Sequence, residues 1–239
     1  MFFFNKKSST NPNFVRAFLQ KGLDKMQAGN YQEAVLDLEK ALELEANNAE
    51  IFFHLGSAQA ALNDQSQAME CFNKAIKLNP VFTKAYHYRG ILLMEMNDLN
   101  GAIKDFNRVI ELAPKTAEAY YLKGLCLAQA RSFQDAVFNY DRALAFNPDL
   151  AEAYYFRGIV KAELEDYLGA LNDFEEAMEI LRDTGRSKDD PLASFVDPKF
   201  VVAFYQRGVY RIVLNDVEGA KEDLARVKAL AGNNNQAQA

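Results

Sequence analysis

Glycine recurs at Gly22, Gly56, Gly90, Gly124 and Gly158, each 34 residues after the last, and then at Gly208 after 50. An alanine series keeps the same register: Ala34, Ala68, Ala102, Ala136, Ala170 and, after the same longer step, Ala220. So does a ring-or-leucine series of Leu38, Phe72, Phe106, Tyr140, Phe174 and Leu224. A fourth series lies four residues before each glycine: Phe18, Phe52, Tyr86, Tyr120, Tyr154 and Phe204. Four series in phase mark a repeat protein, whose units bury their apolar faces only by stacking.

Within a unit the spacing is helical. Phe52, Leu55, Gly56 and Gln59 fall at i, i+3, i+4 and i+7, as do Ala68, Cys71, Phe72 and Ala75. Between the halves stands Asn30, Asp64, Asp98, Ser132, Asp166 or Asp216, each able to offer a side-chain oxygen as an N-cap. Asn-Pro or Asp-Pro opens four units, as in "NPVFTKAYHYRG" from Asn79. The expected roles are Asn as cap and Pro in the first helical turn. Each unit is thus two short antiparallel helices. The small residues let them approach and the rings fill the space around that contact, so a bulky residue at Ala136 would overpack it.

Composition narrows the function. The 239 residues are 49% hydrophobic and 25% charged, ordinary for a soluble globular chain with a large core. A net charge of −6 and no lysine/arginine cluster argue against nucleic acid. The opening "MFFFNKKSST" carries its positive charges after its apolar run, so it does not read as a signal peptide. No stretch nears the roughly 20 apolar residues of a membrane span. Cys71 and Cys126 form no metal or redox motif. A cytoplasmic location without cofactor or metal is expected.

These positions resemble the tetratricopeptide repeat, whose 34-residue period and aromatic–Leu–Gly, Ala, aromatic, Ala and Pro pattern they follow. The first aromatic is never Trp, and the Tyr usual three residues after Gly is Lys25, Gln59, Leu93, Leu127, Lys161 or Arg211. The resemblance implies an all-α solenoid of six helix-turn-helix repeats in a right-handed superhelix. The repeats are 15–48, 49–82, 83–116, 117–150, 151–184 and 201–232, within a solenoid of 11–232. They are preceded by a segment at 1–10, interrupted by an insertion at about 181–196, and followed by a tail at 233–239 expected to be disordered after a helix stop at Gly232. Phe2, Phe3 and Phe4 are read as a cover over the first repeat.

Comparing the repeats with one another exposes a pairing. The residue before each glycine and the residue three after each alanine vary together: Lys21 with Asp37, Arg89 with Asp105, Arg157 with Asp173, Arg207 with Asp223. Leu55 accompanies Cys71, and Lys123 accompanies Asn139. A bridge between the two helices of a unit is expected. Second-helix positions that face the next unit are Val35/Leu42, Met69/Ile76, Ile103/Ile110, Val137/Leu144 and Leu171/Met178, but Lys221/Lys228 in the sixth. This end should therefore not polymerise.

In the family the first helices line a concave groove that holds a peptide. The resemblance places Phe53, His54, Lys84, His87 and Tyr88 there, then Glu118, Tyr121, Leu122 and Leu125, then Glu152, Tyr155, Phe156 and Ile159, then Tyr205 and Gln206. The family's chaperone-type carboxylate clamp is not matched: its places hold Leu19, Leu23, His54, Lys84 and Tyr88, and only Lys84 fits. The expected partner is a protein or peptide with apolar side chains and basic flanks, bound without catalysis. The alternative is a scaffold acting through the convex face and the insertion. His54 and His87 lack a third ligand for a metal.

Overall fold

The computed structural model describes residues 12–183 and 198–236. These residues form helices and turns with no strand, in two compact units, and the chain passes from one to the other between Pro114 and Lys115. The first unit holds α1 (Pro12–Gln27), α2 (Tyr31–Leu44), α3 (Ala49–Ala61), α4 (Gln65–Leu78), α5 (Thr83–Glu95) and α6 (Leu99–Leu112). The second holds α7 (Ala117–Gln129), α8 (Phe133–Phe146), α9 (Ala151–Glu163), α10 (Tyr167–Asp183), α11 (Pro198–Val213) and α12 (Val217–Gln236). The two halves of every expected repeat are thus helices. Each odd-numbered helix packs most extensively on the even-numbered helix that follows it. In the first unit α2 leans on α3 and α4 on α5, while α1, α3 and α5 adjoin in turn. In the second, α8 leans on α9 and α10 on α11, and α7 adjoins α9.

The periodic residues are the core. Ala34, Ala68, Ala102, Ala136 and Ala170 are fully buried, as are Leu38, Phe106, Tyr140 and Phe174. The glycines are where two helices touch. A Cβ built on Gly56 would stand 2.9 Å from the Phe72 ring, and one on Gly124 would stand 2.7 Å from the Tyr140 ring. Both are closer than carbon atoms tolerate, so the contact exists only because that atom is missing.

In the first compact unit the residues expected to face the next hairpin pack against its core. Val35 and Leu42 pack on a cluster containing Ile51 and Leu55, and Met69 and Ile76 on one containing Ala85 and Leu92. In the sixth hairpin Lys221 and Lys228 are exposed. Ile212 and Val213 at the end of α11 and Val217 at the start of α12 are also about half exposed, at 54%, 57% and 48%.

Several local expectations need correction. Asp64, Asp98, Asp166 and Asp216 cap as expected, accepting from the backbone N–H three residues on. Asn30 and Ser132 make no side-chain cap bond. The Ser132 hydroxyl instead donates to the Asp135 carboxylate at 2.8 Å. Asn79 and Asn147 are C-caps of α4 and α8, and their side chains accept from Val81 and Asp149 N–H in Asx turns. Helices α5 and α9 then start behind Phe82 and Leu150, so Pro80 and Pro148 lie in the turn rather than in the first helical turn. Helix α12 runs through Gly232 to Gln236, since a glycine inside a helix costs only about 1 kcal/mol and does not compel a stop. The segment 1–10, the insertion from 184 to 196 and the tail from 237 lie outside the described residues.

A fifth periodic series sits in the turns. Gly29, Asn63, Asn97, Arg131, Glu165 and Asn215, each one residue before the capping position, all have φ between 60° and 77°. Glycine and asparagine enter this left-handed region readily, whereas arginine and glutamate do so at a cost of about 1–2 kcal/mol. Glu165→Gly is therefore expected to raise stability by about 0.5–1 kcal/mol, the relieved strain less glycine's larger unfolded-state entropy. Asn63→Gly should change it less. Urea denaturation of the two variants against the parent checks both.

Candidate protein-binding surface

The expected inter-helix bridge is present and is held by arginine. Arg89 donates from Nε and Nη2 to both oxygens of Asp105, each at 2.7 Å. Arg157 grips Asp173 in the same bidentate way at 2.8 and 2.6 Å, and Arg207 grips Asp223 at 2.9 and 2.5 Å. The carboxylates are buried, with 4%, 3% and 1% of each residue exposed, so these are not ordinary surface pairs.

The third guanidinium nitrogen reaches back to the preceding hairpin. Arg89 Nη1 donates to Asn73, Arg157 Nη1 to Asp141 and Arg207 Nη1 to Glu175. The same guanidinium groups lie 5.2–5.6 Å from the centroids of Tyr86, Tyr154 and Phe204. One arginine thus ties two helices of one hairpin and the hairpin before it.

Lysine at the position before the glycine does not take the arginine's place. Asp37 is held by Lys25 at 2.8 Å, not by Lys21, which lies over the Phe18 ring. The Lys25 ammonium is the main reason the Asp37 carboxyl sits below its usual pKa. Lysine has no planar fork, so whichever residue on that helix face reaches the carboxylate takes the role. Lys161 on Asp173 and Arg211 on Asp223, both at 2.9 Å, are second cations from the same position, three residues after the glycine. The sequence carried that signal: the departures from the family's Tyr are basic only in repeats whose second helix carries Asp. In the fourth hairpin no such bridge forms. Asn139 Nδ2 donates to the Asp135 carbonyl, while Asn139 Oδ1 and the Tyr140 hydroxyl are buried without a hydrogen-bond partner.

With the hairpins fixed, the first helices present their remaining face. In the first unit Phe53 is not on that face as a free anchor. It is 5% exposed and packs at 5.2 Å from the rings of both Phe82 and Tyr88. Only the edge of the aromatic stripe is open here: Tyr88 is 45% exposed and Lys84 is exposed. His87 is half-buried against Tyr88 and Phe106. His54 is half-buried with Nε2 4.0 Å from Glu50, and burial holds its pKa below the usual histidine value. Neither histidine belongs to a cluster of three or more metal-ligating side chains among the described residues.

In the second unit the rings join. Tyr121 lies 6.1 Å from Phe156, Phe156 is 5.2 Å edge-to-face from Tyr155, and Tyr155 is 5.9 Å from Phe174. Tyr210 stacks on Phe174 and on Tyr167, extending the row with two residues the repeat comparison had not singled out. Leu122, Leu125, Ile159 and Gln206 are half-buried, Glu118 is exposed, and Tyr205 is 51% exposed. Burial, and then the Glu152 carboxylate, push the Tyr121 hydroxyl up to about 12. That surface is uncharged aromatic at neutral pH with carboxylates beside it.

Helical hairpins stacked in register, with the first helices side by side, define a helical-repeat protein. Three family models described as tetratricopeptide or TPR repeats match residues 22–63, 49–82 and 89–151. The chain belongs to the tetratricopeptide-repeat family. Among solved structures it is similar to MamA from Desulfovibrio magneticus RS-1, 23% identical over 74% of this chain and 100% of that one, with a TM-score of 0.69. It is also similar to PilF of Pseudomonas aeruginosa, at 17%, 95%, 99% and 0.74, and to YrrB, "a TPR protein with an unusual peptide-binding site", at 21%, 81%, 91% and 0.65. Identities this low speak to the fold alone. No curated protein matches the chain.

The bridge makes a quantitative claim. Asp173→Cys alone should cost about 2–3 kcal/mol, because it strands Arg157 and Lys161 in a half-buried setting. The Arg157→Leu/Asp173→Cys pair, which writes the second hairpin's Leu55/Cys71 into the fifth, should cost less than the single change. A double-mutant cycle in urea measures the difference.

Proposed function

We propose that the chain is a protein-interaction module that holds a peptide or protein segment on the face of its first helices, burying the partner's apolar side chains without chemistry. The observation that carries this reading is the run of adjoining rings from Tyr121 through Phe156 and Tyr155 in the second unit. Large, stiff aromatic side chains give much contact energy for little lost entropy, which is why they dominate interaction hot spots. Glu118 and Glu152 beside the rings favour basic flanks in the partner. The peptide-binding site of YrrB accords with this use of the fold.

A scaffold role through the second helices is the other reading. It is favoured by Phe138 on α8 and Leu168 on α10, exposed at 61% and 66% where a purely solvated face would be polar.

Affinity capture with the parent and with Tyr121→Ala/Tyr155→Ala separates the two. Loss of about tenfold or more of the captured partner, with unchanged far-ultraviolet circular dichroism, is expected. Unchanged capture by that variant and loss with Phe138→Ser/Leu168→Ser would assign the scaffold role instead.

A further inference from the structure

Between the starts of α3 and α5, in the first unit, lies a cavity of about 480 Å³. That size is within the range of sites that hold ligands or peptide side chains. One wall is the first turn of α3, with Glu50, Phe53 and His54, and the other is the turn after α4 and the start of α5, with Val81, Phe82 and Lys84. Its apolar part lies on the α5 side: Val81 is 62% exposed and Phe82 is half-buried, while the Phe53 ring, 5.2 Å from Phe82 and only 5% exposed, closes the floor. The sequence comparison placed Phe53, His54 and Lys84 in one stripe. Val81 and Phe82 come from the Asx turn that moves the start of α5 past Pro80.

The charged groups are split between the walls. The Glu50 side chain is 62% exposed, with His54 as its neighbour at 4.0 Å. Lys84 is exposed on the facing helix, and no ion pair joins the two. Burial holds the His54 pKa below the usual histidine value, which disfavours the charged imidazolium. The pocket is therefore open, with an apolar patch of Val81 and Phe82 in it, a carboxylate on one wall and an ammonium on the other.

We infer that this pocket takes an apolar residue of a peptide that carries a basic residue on its Glu50 side and an acidic residue on its Lys84 side, and so fixes the direction in which the peptide lies. This rests on the reading of the first-helix face as a peptide-binding surface. The apolar residue supplies the affinity, since exposed ion pairs contribute only about 0–1 kcal/mol each. The charges supply orientation: a reversed peptide sets like charges against both walls, and juxtaposed like charges are what exclude wrong registers.

The test is a random-peptide library displayed against the full chain, followed by binding of synthetic copies of the enriched peptides. Enriched peptides should share an apolar residue flanked by one basic and one acidic residue. Glu50→Lys/Lys84→Glu should weaken those peptides about tenfold and bind the order-reversed peptides better. Val81→Asp should abolish binding of both. All three residues changed are exposed or on the rim, and an unaltered urea midpoint confirms the fold. If peptides bind but ignore the charge inversion and respond only to Tyr121→Ala/Tyr155→Ala, this inference fails while the binding function stands. If the library yields no binder, both fail.

Discussion

A glycine on each first helix lies against a ring or leucine on the second, and the rest of the architecture depends on that contact. Without a Cβ at Gly56, Gly90, Gly124 or Gly158, the facing ring sits within about 3 Å of where that atom would be. This closeness goes with complete burial of Ala34, Ala68, Ala102, Ala136 and Ala170 on the second helices. It also decides which residues face outward. Once two helices are pinned along one line, the first helix has a single remaining strip for neighbours and ligands. A helix of some thirteen residues is marginal alone, so stability comes from this packing repeated hairpin after hairpin.

The arginines set the angle of that packing. A planar guanidinium that is fixed on two carboxylate oxygens, laid over a ring and hydrogen-bonded to the preceding hairpin cannot rotate without breaking several contacts. The second hairpin shows the alternative, an apolar Leu55/Cys71 contact with both residues buried. A complete pair or none is what the physics of buried ion pairs favours, and the fourth hairpin, which has Asn139 in place of the carboxylate, is left with a buried unpartnered Oδ1.

The fold was legible because its determinants are periodic and local. Glycine, alanine and ring positions repeat at fixed intervals, and the Arg–Asp covariation needed no alignment beyond the chain itself. Lys21 was assigned to Asp37 by register, but a flexible ammonium one turn away, on Lys25, reaches it. The helix starts were misplaced at Asn79 and Asn147 because an Asx turn and a helix N-cap use the same side chain in the same way. The surface was only half legible. Phe53 and Tyr155 hold the same repeat position, yet Phe53 is closed in by Phe82 and Tyr88 while Tyr155 stays half-buried among rings. Exposure depends on what the neighbouring hairpin brings, and the period does not record that. Tyr210 was missed for the same reason: its partners Phe174 and Tyr167 belong to the hairpin before it.

The proposed binding surface and the scaffold surface lie on different helices, which makes footprinting the most direct discriminator. Carbene or hydroxyl-radical labelling of the chain with and without its captured partner would read protection residue by residue. Protection concentrated at Tyr88, Tyr155 and Tyr205, with Leu36, Phe138 and Leu168 labelled as in the free chain, is the expected result. Protection of Leu36, Phe138 and Leu168 with the tyrosines unchanged would contradict it and move the interaction to the second helices.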